Sequence, residues 1–304
     1  MNKERDIISL YAVSPLHAGS GSIIGAVDLP IQRERHTGWP HVQASGLKGA
    51  LRAHVRDGLE NIDGQADIKL LNLIFGSDEQ DGWKEMSAGK DGKGKMETLP
   101  AAIAVSDAKL LAFPVRSNIA PFVWVTCPAV LRRYGEDLAF SGMGGIGDIP
   151  PVEEEKAVPL NNFQYSGDVL LEEVVVCAEG KTVVESISDH FPTLTRLLLV
   201  SDQVFDYCVS SCTEVQTQIK INAETGSTQD GSLRYQELLP SDTALYSVVV
   251  FNRDNFDNSM QASMVRDQMK KRIRHFVQIG GDYTLGRGIC RSAWFSDVNK
   301  GGRS

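Results

Sequence analysis

Apolar and polar positions recur along the chain with periods that divide it into short strands and helices. Ile7-Ile8-Ser9-Leu10-Tyr11-Ala12-Val13 is rich in β-branched and aromatic residues and is closed by Ser14-Pro15, which predicts a strand. From Ser45, a good N-cap residue, Leu47, Leu51, Val55 and Leu59 recur at spacing four and predict a helix. Lys48, Arg52 and Arg56 form an adjacent stripe at the same spacing, so an apolar and a basic face lie side by side. A second helix is predicted around 68–75, with Gly76 as its C-cap signal. Strand patterns follow at 102–105, 110–115, 122–126, 169–177, 244–251 and 288–295, and helical ones after Pro128 and at 182–200 and 259–275. Gln216-Thr217-Gln218-Ile219-Lys220-Ile221 alternates like a strand with one solvated face, and turn-forming residues at 222–232 then predict an exposed β-hairpin over 216–237. Two stretches interrupt this order, the polar segment 77–98 and the Gly/Pro-rich segment 141–167, and both read as insertions. The hairpins and insertions do not suit a doubly wound parallel sheet; the expected class is α+β with a small antiparallel core.

Composition adds limits. The 304 residues are 42% hydrophobic and 23% charged, enough to bury a core in one or two domains. No window approaches eighteen uninterrupted apolar residues and the N-terminus carries no signal-peptide core, so no membrane partner and a cytoplasmic location are expected. Five cysteines without a C-x-x-C pair indicate neither a disulfide framework nor a zinc site. Cys208 and Cys212, at i and i+4 of a predicted helix, read as small core residues.

The net charge of −8 argues against a uniformly basic protein, but its distribution is uneven. Residues 1–57 hold seven Lys/Arg against five Asp/Glu, residues 264–304 nine against three, and the middle fifteen against thirty-one. If the two ends meet in the fold, they build a basic surface for a polyanion on an acidic molecule.

Three places have candidate chemistry. In Gln278-Ile279-Gly280-Gly281-Asp282-Tyr283-Thr284-Leu285-Gly286-Arg287-Gly288, the glycines at 280, 281, 286 and 288 permit backbone N–H groups to converge on a phosphate beside Arg287, or simply make a tight turn. Gly19-Ser20-Gly21-Ser22-Ile23-Ile24-Gly25 has the wrong spacing for a dinucleotide fingerprint and no helix opens there. Val27-Asp28-Leu29-Pro30-Ile31-Gln32-Arg33-Glu34-Arg35-His36-Thr37-Gly38 is a loop of unusual mixed charge. There His17, Asp28 and His36 form either an acid-base or metal constellation or a solvated loop surface.

The runs at 16–21, 27–38 and 45–52 closely resemble the start of the backbone subunit of type III-B CRISPR effector complexes, the Cmr-type member of the RAMP superfamily. The resemblance continues in 113–117, 221–226, 239–243 and the closing glycine-rich loop, in the family's order, and lapses only at the two insertions. It implies one RAMP domain over 1–304: a modified RNA-recognition-motif (ferredoxin-like) palm, helical finger insertions and a β-hairpin thumb, here 216–237. The implied partners are crRNA, complementary target RNA, further copies of the chain and the other Cmr-type subunits. The implied activity is endonucleolytic cleavage of target RNA at regular intervals by attack of a 2′-OH, dependent on a divalent metal, magnesium or manganese, bound with the RNA. Asp28 matches the aspartate on which cleavage depends, as metal ligand or proton acceptor, and His17 is the second catalytic candidate. Ser45, Lys48 and Arg52 would face guide phosphates, Arg33, Arg35 and His36 would hold backbone around the kink, and Gly280, Gly281, Gly286, Arg287 and Gly288 would support the same strand. No aromatic-rich ribonucleoprotein signature is present, so base stacking on the sheet is not expected. The alternatives are a non-catalytic RNA-binding scaffold, a metal-independent RAMP endonuclease that processes crRNA through histidine, and an unrelated α+β enzyme with a phosphate loop.

Overall fold

β-branched residues at the start of the chain give β1 (Glu4–Ala12), on which Ile7, Ile8 and Leu10 are fully buried. The computed structural model describes residues 3–22, 25–59, 65–77, 99–254 and 259–298. After β1 come β2 (His41–Val42), α1 (Ala44–Asp57), α2 (Gln65–Phe75), β3 (Ile103–Val105), β4 (Ala108–Arg116), β5 (Phe122–Thr126) and α3 (Pro128–Phe140). The middle of the chain gives β6 (Lys156–Pro159), β7 (Gly167–Leu171), β8 (Val174–Ala178), α4 (Glu185–His190), β9 (Leu197–Val200) and α5 (Asp202–Ser211). The hairpin β10 (Glu214–Gln218) and β11 (Arg234–Leu238) follows, then β12 (Ala244–Phe251), α6 (Ala262–Arg272), β13 (His275–Gln278), β14 (Ile289–Trp294) and α7 (Phe295–Val298).

Among the described residues, twelve strands form one sheet: ten follow the path β13-β14-β1-β12-β4-β5-β9-β6-β8-β7, and off it β2 pairs with β4 and β3 with β12. Its centre, β14-β1-β12-β4, is antiparallel throughout, and α1 and α6 stand in the chain between its first and second and its third and fourth strands. That is the β-α-β-β-α-β order of a ferredoxin-like palm. Leu47, Leu51 and Val55 on α1 and Val265 and Met269 on α6 are buried, as the helical spacing requires. Everything from β5 to β11 is inserted between two neighbouring palm strands; it lengthens the sheet on one side and projects the β10–β11 hairpin, the thumb.

Several expectations need correction. The antiparallel core is present as expected, but the inserted wing extends it into a large mixed sheet, since β5 pairs with β9 and β6 with β8 in parallel. Ser45 is the second residue of α1, not its cap: the cap position is Gln43, without a side-chain cap bond, and Asp107 Oδ1 instead accepts the Ala44 N–H at 2.7 Å. A carboxylate brought from the β3–β4 turn thus does what a local serine was expected to do. Leu59 lies past the end of α1. Segment 141–167 is not wholly irregular, because β6 lies within it. The predicted strand 169–177 is a hairpin, β7 and β8, turning at Glu172 with φ 54°. The predicted helix 182–200 is helical only in α4; Leu197 to Val200 are all buried, and a strand covered on both faces loses the alternation that identifies it. The last predicted helix stops at Arg272, and His275 opens β13. Except for Ser77, the 77–98 segment lies outside the described residues. Among them no helix is long and apolar enough to cross a membrane.

Candidate nuclease site at the thumb root

The root of the thumb gathers the residues singled out in the loop 16–43. Leu16 and Leu239 exchange backbone hydrogen bonds at 2.9 Å, which carries the loop onto the strand end of β11. The next side chain, His17, is half-buried and its Nδ1 lies 2.8 Å from the Glu237 carbonyl oxygen. A carbonyl only accepts, so Nδ1 carries the proton and Nε2 is the nitrogen available to a ligand. Gly19 keeps that nitrogen clear, since a Cβ at position 19 would lie 2.7 Å from it.

Asp28 reaches the same edge of that strand two residues earlier, at Tyr235. The N–H groups of Asp28 and Leu29 both donate to the Tyr235 carbonyl at 3.1 Å, and the Tyr235 N–H donates to Asp28 Oδ2 at 2.8 Å. One carboxylate oxygen is therefore fixed by the backbone, while no bond within the chain claims Oδ1 among the described residues. Leu29 continues as a parallel bridge to Gln236, and Glu237 N–H donates to Leu29 O at 3.0 Å.

The mixed charge of the loop divides into two sets. Arg33 is engaged inside the protein: Nη2 pairs with Glu237 Oε1 at 2.6 Å and Nη1 donates to the carbonyls of Gly38 and Val209. Glu34 accepts from Arg133 at 2.6 Å and from Thr37 Oγ1 at 2.7 Å. Arg35 and His36 stand exposed at the tip of that turn, free to meet an anion. His17, Asp28 and His36 do not gather into a metal constellation, and among the described residues no three His, Cys, Asp or Glu side chains could hold an ion together.

Ser45, Lys48 and Arg52 line a separate shallow groove of about 330 Å³ between α1 and the end of α2. Ser45 and Gly46 are exposed in the first turn, where backbone N–H groups have no intrahelical partner and the macrodipole is positive. Partial burial, and then the charge of Arg52, push the Lys48 ammonium below its ordinary value. An anion in the groove would relieve both. Arg52 is partly engaged, donating to Gly76 O at 2.7 Å and to Asn72 Oδ1 at 3.0 Å.

The C-terminal glycine segment takes the tight-turn alternative. Gly280 and Gly288 have φ +84° and +70°, and a Cβ there would lie 2.3 Å from His17 O and 1.9 Å from Ile279 O. The N–H groups of Gly281, Gly286 and Gly288 already donate to His17, Tyr283 and Pro15 carbonyls. Their backbone is thus occupied in packing the turn against the His17 loop. Arg287 donates to the Gln216 side chain on the thumb.

Asp282, Gln236 and Glu237 escaped the sequence reading. Asp28 and its partner Tyr235 are 207 positions apart, and no local spacing signals such a contact.

The RAMP superfamily profile matches residues 9–291. The chain is 32% identical over 308 residues to the CRISPR system Cmr endoribonuclease Cmr4 of Pyrococcus furiosus, covering 97% of each. The crystal structure of oligomeric Cmr4 from Pyrococcus furiosus superposes with a TM-score of 0.68 at 27% identity, covering 96% of this chain and 98% of that one. A chain of the type III-B Cmr-beta complex bound to cognate target RNA superposes at 0.70, with 20% identity over 97% of this chain and 98% of that one, a likeness of fold.

Proposed function

Since the chain belongs to the RAMP superfamily, we propose that it is a backbone subunit of a type III-B CRISPR effector complex that assembles in copies along crRNA and cuts complementary target RNA beside Asp28. The relative named an endoribonuclease supports the activity, and the relative named oligomeric supports assembly with further copies. The observation that carries the assignment of the site is the Asp28 carboxylate, fixed through one oxygen at the thumb root with the other unclaimed.

An RNA strand brings its own nucleophile. The 2′-oxygen next to a kinked linkage attacks the adjacent phosphorus, the bond from phosphorus to the 5′-oxygen breaks, and the products are a 2′,3′-cyclic phosphate and a 5′-hydroxyl. The protein need only hold the linkage in line and move two protons. Asp28 Oδ1 accepts the 2′-OH proton, and His17 Nε2, in the protonated ring, donates to the leaving 5′-oxygen. Arg35 and His36, exposed at the neighbouring turn, hold the backbone on either side of the kink. Ser45 and Lys48 in the α1 groove seat guide phosphates without reading bases, as a subunit that accepts any guide requires. Asp28 offers a hard oxygen to magnesium or manganese, and with one protein carboxylate the rest of such an ion's shell would come from RNA oxygens and water. When bound, that ion would neutralise charge growing on the phosphate oxygens.

A non-catalytic scaffold has one observation in its favour: the same Asp28 carboxylate caps the Tyr235 N–H and so shapes the loop. Asp28→Asn separates the readings, because its amide oxygen still accepts from Tyr235 but is no base. In the assembled complex, with magnesium or manganese and with chelator, Asp28→Asn and Asp28→Ala are expected to slow cleavage of guide-complementary RNA by at least about a hundredfold while target binding persists. Wild-type cleavage by both variants removes Asp28 from the chemistry.

A further inference from the structure

The turn 280–288 packs against His17 through its backbone and reaches the strand that fixes Asp28 through one carboxylate. Asp282 stands in the left-handed region at φ 60°, which aspartate tolerates better than most residues. Its own carbonyl accepts the N–H groups of Leu285 and Arg287. Its Oδ2 accepts from Gln236 Nε2 at 2.6 Å. The other end of that amide, Gln236 Oε1, accepts from Gln218 Nε2 on the partner strand of the thumb. Gln236 is only 3% exposed, between Tyr235, whose N–H fixes Asp28, and Glu237, whose carbonyl fixes His17 Nδ1.

β11 has one full ladder partner, β10, and a two-stranded ribbon is marginal by itself. Something must hold its root still against the palm, because a small slide of β11 moves the donor to Asp28 and the acceptor of His17 together. The Gln236–Asp282 bond is a side-chain tie from the strand to a turn that is itself packed against His17, through Gly281 N–H to His17 O at 2.9 Å. We propose that Asp282 is a positioning residue for RNA cleavage: through the buried Gln236 amide it locks the thumb root in the register that aims Asp28 and His17 at one linkage. This rests on the reading of Asp28 and His17 as the proton-moving pair.

The test uses the assembled complex with bound guide, reading target affinity and single-turnover cleavage at saturation separately. Asp282→Ala is expected to slow the cleavage step about tenfold, the scale of a lost hydrogen bond to a charged group, with guide and target affinity unchanged. Asp282→Asn keeps an acceptor and should stay within about threefold of wild type. Gln236→Glu sets two carboxylates against each other and should match Asp282→Ala; adding Asp282→Asn exchanges amide and carboxylate and should restore the rate, a rescue that general destabilisation does not give. Wild-type cleavage by Asp282→Ala, or no recovery in the exchanged pair, overturns the proposal. Asp28→Ala run beside them tells the two failures apart: if it abolishes cleavage while Asp282→Ala does not slow it, only the positioning role is lost, and if it cleaves normally the underlying reading falls as well.

Discussion

At the thumb root Arg33 has a carboxylate and two carbonyls around it, and the glycine turn has the Gly281 and Gly288 N–H groups bonded to the His17 loop. At the α1 groove Lys48 is half-buried with Arg52 as its charged neighbour among the described residues, and the first-turn residues beside it are exposed. Both regions present cations and glycines to a polyanion in the linear sequence. In the first, Arg33 and the glycines hold the protein's own parts together; in the second, Arg52 ties α1 to the end of α2 while Lys48 makes no such bond among the described residues. A basic residue close in sequence to a cleavage site is therefore no guide to which cation meets RNA, and the division has consequences that can be broken one residue at a time.

The largest effect is expected at Gly288. Alanine there would put a Cβ 1.9 Å from the carbonyl oxygen of Ile279, whose N–H donates to Gly288 O across the turn, at a φ of +70°. Such a contact cannot be relieved by a side chain moving aside. Gly288→Ala should destabilise the chain by about 4 kcal/mol or more, read as a fall in the denaturant midpoint. An unchanged midpoint would mean that the turn is not the rigid support that the thumb root requires.

Next comes Arg33→Ala. Glu237 is 7% exposed, and without Arg33 its carboxylate keeps, among the described residues, the Ile31 N–H and Thr213 Oγ1 as donors. Removing one partner of a largely buried pair leaves an uncompensated charge, and a loss of about 3 kcal/mol is expected. Adding Glu237→Gln removes that charge and should recover part of the loss. If Arg33→Ala folds with full stability but loses RNA, Arg33 belongs with the outward-facing cations after all.

The palm was legible because β1, β4 and β12 are apolar runs, β1 and β12 rich in β-branched and aromatic residues, β14 alternates, and α1 carries Leu47, Leu51 and Val55 at spacing four. The inserted wing was less so. Leu197 to Val200 are buried on both faces and show no alternation, and the two glutamates at 172 and 173 do not look like a hairpin turn until Glu172 is seen with positive φ. At the site, Asp28, His17, Lys48 and the glycine segment were visible as residue types in suggestive loops. Their partners were not, because Tyr235, Gln236 and Glu237 join them through tertiary contacts that span most of the chain and leave no local period. The same distance hid the engagement of Arg33 and the capping of α1 by Asp107.

The smallest effect on the folded chain, and the sharpest test of the contrast, is at Lys48. No ion pair holds its ammonium among the described residues, so Lys48→Ala should leave stability within about 0.5 kcal/mol of wild type. If the groove seats a guide phosphate, the variant should bind guide RNA about tenfold more weakly per copy, as expected for one charge-assisted contact. The slope of log affinity against log salt should also shrink by about 0.7, one single-strand phosphate contact fewer. A pH series fixes the sign. Because burial and Arg52 lower the Lys48 pKa, the free groove loses its charge at a lower pH than an ordinary lysine would. Guide binding by the wild type should therefore take up protons as pH rises toward that range, and its salt slope should approach that of the variant, while Lys48→Ala shows no such trend. Equal salt slopes for the two proteins at neutral pH would place the guide elsewhere and leave the groove as packing between α1 and α2.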